Sequence, residues 1–104
     1  MAQFDVYPNP NPATRKNIPY LLDVQADLLD TMATRVVVPL VLAEVMGQGV
    51  KQLNPHFKIK GVALVMSTAE LAGISARILG EKVVSLKVRR DEVIAALDLL
   101  FTGI

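Results

Sequence analysis

A chain of 104 residues has the length of one domain, and its 52% hydrophobic content exceeds what a single small core needs, so part of its apolar surface is expected to meet a second subunit or a partner. With 11 Lys and Arg against 10 Asp and Glu, the net charge of +1 gives no bulk electrostatic case for nucleic-acid binding. The absence of cysteine excludes disulfides and thiolate metal sites and fits a reducing cytoplasm.

The opening "MAQFDVYP" has neither the basic start nor the apolar block of a signal peptide. Ala2, Phe4 and Val6 alternate, which predicts a first strand over Ala2 to Tyr7. In Pro8 to Asn17, three prolines remove backbone donors and Asn9 and Asn11 favour turns, so this stretch reads as a stiffened, exposed loop. Period two returns in "PYLLDVQAD": Tyr20, Leu22, Val24 and Ala26 face one way and Leu21, Asp23, Gln25 and Asp27 the other, as in a half-buried antiparallel strand. After Leu28 and Leu29, "DTMAT" turns the chain into "RVVVPL", whose Pro39 suggests an edge strand or a bend. The longest apolar run, Val36 to Ala43, is far short of the ~20 residues of a spanning helix and contains that proline. "VLAEVM" continues as strand or helical turn, and Gly47 and Gly49 mark the next turn.

In "HFKIK", Phe57 and Ile59 point inward and His56, Lys58 and Lys60 toward water, with a Lys60-Gly61 turn into the buried "VALVM". Ser67 and Glu70 have capping-box spacing, which predicts a helical turn that Gly73 closes. "ISARIL" and "KVVSL" read as two last short strands. From about Val88 the period becomes helical, with Val93, Ala96, Leu97 and Leu100 on one stripe that Ile94 and Phe101 widen. So broad a stripe on a terminal helix implies a second buried contact.

Catalytic and metal candidates are sparse. His56 stands on the polar side of a strand with no Ser and Asp partners at triad-like spacing, and reads as a solvated histidine. Asp23, Gln25, Asp27 and Asp30 could gather a hard cation, but without a glycine-containing ligand turn they read as a solvated face. No phosphate-cradling glycine motif follows a strand. The "KVRR" cluster, Lys87 to Arg90, could touch phosphate or simply keep the surface soluble. These residues favour binding over catalysis.

"QFDVY", "DVQADLLD" with "TRVVVPL", and "EVIAALDLLFTGI", together with "MSTAELAG" and "ILGEKVVSL" between them, resemble in order the CcdB family of bacterial toxins. The resemblance covers essentially the whole chain, as a single domain over residues 1–104. It implies an α+β, mostly β fold: a small SH3-like antiparallel barrel with an extra small sheet and a C-terminal helix, forming a twofold homodimer. It also implies a non-enzymatic, cofactor-free poison of DNA gyrase that binds the A subunit and traps the enzyme covalently joined to cleaved DNA. A CcdA-like antitoxin would neutralise it, and the pair would repress their own operon, with no nucleic-acid or membrane binding by the toxin alone.

By the same resemblance, the gyrase contacts match Leu28, Leu29, Asp98, Thr102, Gly103 and Ile104, and the antitoxin-binding loop matches Asn9, Pro10, Asn11, Pro12, Ala13, Thr14 and Arg15. Thr102 stands where the best-known family pattern has a tryptophan, and Asp98 where it has an amide. Threonine cannot stack on a guanidinium, whereas Asp98 adds a charge suited to an arginine. The proline loop is longer and less charged than the family pattern. Two alternatives remain at this level: a MazF-like endoribonuclease toxin of the same barrel fold, and a non-toxic family member that retains only antitoxin binding.

Overall fold

The computed structural model describes residues 1–103. Its strands are β1 (Asp5–Pro8), β2 (Tyr20–Asp23), β3 (Thr34–Leu42), β4 (His56–Ile59), β5 (Val62–Met66), β6 (Ala72–Ser75) and β7 (Val84–Ser85), with helices α1 (Ala43–Met46) and α2 (Arg90–Thr102). The antiparallel strands run in the order β4-β5-β3-β2-β1-β7, curling into a nearly closed barrel, and β6 branches from β3 as the small extra sheet.

β3 is the spine, and this corrects the edge reading of Pro39. Thr34 to Val37 pair with β6, Leu40 to Leu42 pair with β5, and Tyr20 to Asp23 of β2 run along the other side. Pro39 sits at the junction between the first two partners, where its carbonyl accepts the Ser67 N–H at 2.9 Å. A central strand tolerates proline where neither neighbour requires its missing donor.

The first strand starts at Asp5 rather than Ala2, because Phe4 adopts φ 74° and ties its N–H to the Asp23 carbonyl at 2.7 Å. "VLAEVM" resolves into the end of β3 and the single turn of α1. The β4–β5 hairpin turns on Lys60 and Gly61, both at positive φ, as a two-residue primed turn requires. The Ser67–Glu70 pair forms differently from a capping box: the Ser67 hydroxyl donates to the Glu70 carboxylate, and no turn N–H is capped. Gly73 is not a helix terminator, since the chain has rejoined the sheet at Ala72. "ISARIL" is strand only to Ser75, whose hydroxyl accepts from the Arg77 N–H and starts a short 3-10 turn over Ala76–Ile78.

Alternate residues of β1, β2 and β3 enter two separate cores. Val6, Leu22, Val38 and Leu40 fill the barrel with Phe57, Leu64 and Met66, and Val93 and Ala96 of α2 close it. Tyr7, Leu21 and Val37 bury the opposite face beneath Leu79. The half-buried reading of β2 is therefore corrected: both faces are covered, because the segment after β6 folds back over the sheet. At the lead-in to α2, Arg89 stacks 4.7 Å from the Phe57 ring centroid, donates to the His56 carbonyl at 3.0 Å and pairs with Glu92. Arg89 thereby clasps the helix start to β4, the last strand at one end of the sheet path.

Candidate protein-interaction site

The exposed end of α2 follows from its sequence. Asp91 and Glu92 in the first turn complement the helix dipole, and Gly103 ends the helix at φ 74°, with its N–H bonded to the Leu99 carbonyl at 3.0 Å. Val93 and Ala96 are buried and Ile94 and Leu97 pack on the barrel core, yet Asp98, Phe101, Thr102 and Gly103 are exposed. Phe101, at 69% exposure, is not a core residue of this chain despite lying on the apolar stripe. The Thr102 hydroxyl donates to the Asp98 carbonyl at 2.7 Å, which leaves its methyl group as the part offered outward. Ile104 lies outside the described residues.

Leu28 and Leu29 are not strand residues. They occupy a 3-10 turn, Asp27–Leu29, which solves the problem of two adjacent apolar side chains by exposing both, at 90% and 45%. The turn is anchored twice. Asp27 accepts the Gln3 N–H at 2.7 Å, while the buried Gln25 amide donates to the Leu29 carbonyl at 2.9 Å and accepts the Val36 N–H at 3.0 Å. Met32, 48% exposed, extends the apolar surface. This turn and the end of α2 are separate elements with separate anchors: Gln3 and Gln25 hold the turn, whereas α2 docks on the barrel core through Val93 and Ala96.

The loop Asn9–Arg15 is a built structure. Buried Asn9 donates to Thr14 Oγ1 and to the Ile18 carbonyl, both at 2.9 Å, and accepts the Asn11 N–H at 3.0 Å. Asn11 in turn accepts from Ala13, and Arg15 donates to the Pro10 carbonyl. Asn9 therefore shapes the loop from within, and Pro12, Ala13, Thr14 and Arg15 form its exposed crest. Beside it lies a cleft of about 270 Å³ with an apolar floor that includes Ile18, Val37 and Ile74.

Asp27 and Asp30 are exposed, as the solvated-face reading expects, but Asp23, the one carboxylate of β2, is not. Asp23 is fully buried against fully buried Arg35: Nε donates to Oδ2 at 2.8 Å, and Nη2 approaches the same oxygen at 2.6 Å without hydrogen-bond alignment. Burial pushes the Asp23 carboxyl above its usual range, opposed by the Gln25 N–H and by Arg35. Burial, then the neighbouring Asp5 charge, pushes the Tyr7 phenol up to about 12. Among the described residues, no group of three or more His, Asp or Glu is placed to hold a metal ion. His56 is exposed, as its strand position predicts, with Nε2 2.8 Å from the Gln48 carbonyl.

Sequence reasoning missed the Asp23–Arg35 pair, the Gln25 staple and the exposure of Met32, whereas the exposure of Phe101 fits the second contact expected of its broad stripe. The available signal for Met32 was an apolar residue inside the turn "DTMAT"; the pair left none, because its partners are separated by twelve positions and a turn.

Exposed aliphatic and aromatic side chains set beside carboxylates, on a rigid barrel with a docked helix, define a small protein-binding module. Residues 3–103 match the family model described as CcdB protein, and the chain belongs to that family. The family comprises toxins of toxin–antitoxin modules that poison gyrase rather than catalytic enzymes.

Proposed function

We propose that this protein binds the DNA gyrase A subunit and holds gyrase in its covalent complex with cleaved DNA. The observation that carries the reading is the double exposure of Leu28 and Leu29 on an anchored turn, together with the exposed last turn of α2. A turn whose backbone is already anchored loses little conformational entropy when a partner covers the side chains it presents. A twofold homodimer would set both groups beside their symmetry copies around one axis and cover Phe101, turning two small patches into one contact surface. Asp98 would meet an arginine of gyrase, and the methyl of Thr102 would pack where the family pattern has an indole.

No bond is made or broken by the toxin in this reading. It acts by binding the cleaved state of gyrase more tightly than the resealed one, the only way a ligand can hold such an equilibrium. A CcdA-like antitoxin, ordering on binding, would seat against the crest Pro12 to Arg15 and the cleft beside it, and the complex would repress its own operon. The site of action would be the bacterial cytoplasm; no helix among the described residues is long and apolar enough to cross a membrane.

Calorimetric titration of the gyrase A subunit tests the contact. Leu28→Asp alters a side chain that touches little in the free protein, so thermal stability is expected to stay within about 0.5 kcal/mol, while affinity falls by about tenfold or more. Unchanged affinity would remove this turn from the interface.

A further inference from the structure

The turn that presents Leu28 and Leu29 buries none of its own residues, so its shape rests on hydrogen bonds. Within it, the Leu29 and Asp30 N–H groups donate to the Ala26 and Asp27 carbonyls at 2.9 and 3.1 Å. Among the described residues, two side-chain bonds tie the turn to the rest of the molecule: Asp27 accepts the Gln3 N–H, and Gln25 donates to the Leu29 carbonyl. The first is exposed and competes with water, whereas the Gln25 residue is only 6% exposed.

Gln25 joins the turn to the barrel through one side chain. β2 ends at Asp23, and its ladder to β3 continues one residue further, with the Val24 N–H on the Val36 carbonyl at 3.0 Å. In place of a strand carbonyl, the Gln25 side-chain oxygen then accepts the Val36 N–H at 3.0 Å, while its amide nitrogen donates to the Leu29 carbonyl at 2.9 Å. The Gln25 backbone is fixed as well: its N–H donates to the Asp23 carboxylate at 3.0 Å, whose other oxygen accepts from Arg35 Nε at 2.8 Å. The Leu29 carbonyl also accepts the Met32 N–H at 3.2 Å, so the group that Gln25 holds helps to place Met32 too.

We propose that Gln25 is a positioning residue whose amide holds the Leu28–Leu29 turn in the shape that gyrase binds, a role that rests on the gyrase reading of those two leucines. The task needs an acceptor and a donor on one planar group, which glutamine supplies and an ionised glutamate does not. A turn released from the amide samples other shapes, and affinity falls with the fraction of time spent in the competent one.

Calorimetric titration of the gyrase A subunit, well below the melting temperature, compares the wild-type protein with Gln25→Glu, Gln25→Met and Val38→Ala. Gln25→Glu keeps the acceptor for the Val36 N–H but sets a carboxylate against the Leu29 carbonyl. Affinity is expected to fall about tenfold, the loss for a turn competent about a tenth of the time. Protonation restores a donor, and burial raises the introduced carboxyl, so the deficit relative to wild type shrinks from about pH 9 to about pH 6. Asp23, Asp27, Asp30 and Arg35, the charged groups around this segment, are common to both proteins. Gln25→Met loses both bonds without burying a charge and is weakened at every pH; it carries the comparison if Gln25→Glu does not fold. Val38→Ala opens the barrel core at a fully buried position, lowers the melting temperature and leaves gyrase affinity unchanged. If the wild-type protein binds and the Gln25 variants bind equally well, the positioning role is overturned while the gyrase reading stands. It is also overturned if Val38→Ala loses as much affinity as they do, or if the Gln25→Glu deficit does not change with pH. If the wild-type protein does not bind, the gyrase reading falls and this role with it.

Discussion

Asp23 and Arg35 are fully buried and face each other on the covered side of β2 and β3. Removing one partner strands the other charge in a low-dielectric site, whereas removing both costs far less. Arg35→Met should therefore destabilise the fold by about 3–5 kcal/mol near neutral pH, and Asp23→Leu in the same chain should recover much of the loss in chemical denaturation. Because the Asp23 carboxyl is already displaced upward, its ionisation disfavours the fold as pH rises from the ordinary carboxylate value to the raised one. The single variant should accordingly suffer less in acid, where the stranded carboxyl is protonated; a loss independent of pH would contradict the pairing. Tyr7 has the same sign in alkali. Its phenol ionises at about 12 against an ordinary 10.0, so its contribution is intact below the ordinary value and is lost between the two. At 1.36 kcal/mol per unit this amounts to about 2–3 kcal/mol, and Tyr7→Phe should flatten the fall in stability over that range.

Helix α2 shows a conflict between folding and binding. A carboxylate near a helix C-terminus opposes the dipole, and Asp98 lies four residues before Thr102, the last residue of α2. Asp98→Asn should raise stability by about 0.3–1 kcal/mol while weakening gyrase binding, a divergence visible by comparing melting with affinity. If both fall together, Asp98 has a structural role. Thr102→Trp should sacrifice the hydroxyl bond to the Asp98 carbonyl yet strengthen gyrase binding by about tenfold, since an aromatic anchor is restored. An unchanged or weaker contact would show an interface rebuilt around the methyl group. Elements of this kind were legible where the local pattern was clean: β4, the Lys60-Gly61 turn and α2 follow from alternation or helical spacing, β5 from a continuous apolar run, and β2 from an alternation that the strand keeps only to Asp23. Pro39 and Gly73 misled, because their local preferences point to an edge and a cap, whereas three-way pairing along β3 finds room for one and uses the other as strand. Leu28 and Leu29 were legible as an anomaly, two adjacent apolar residues no strand could bury on one side, but their turn depends on the distant Gln3 N–H. For the rest of the site, resemblance supplies the assignments, and the structure shows the exposure of those that lie among the described residues.

At the scale of the whole molecule, the Cα radius of gyration of 12.7 Å matches the roughly 13 Å of a well-packed chain of this length. The exposed Leu28, Met32 and Phe101 are thus not a sign of loose packing; the barrel core is filled and these side chains remain outside. That surplus, foreshadowed by the hydrophobic content, is what a dimer and a large partner would cover. The central claim is that this surface arrests gyrase with its DNA cut. Incubating the protein with active gyrase, supercoiled plasmid and ATP, then denaturing and digesting the enzyme, measures that state directly. The account predicts linear DNA whose yield rises with toxin and disappears when Leu28→Asp is used; an active gyrase that yields only relaxed or supercoiled plasmid at saturating toxin would contradict it.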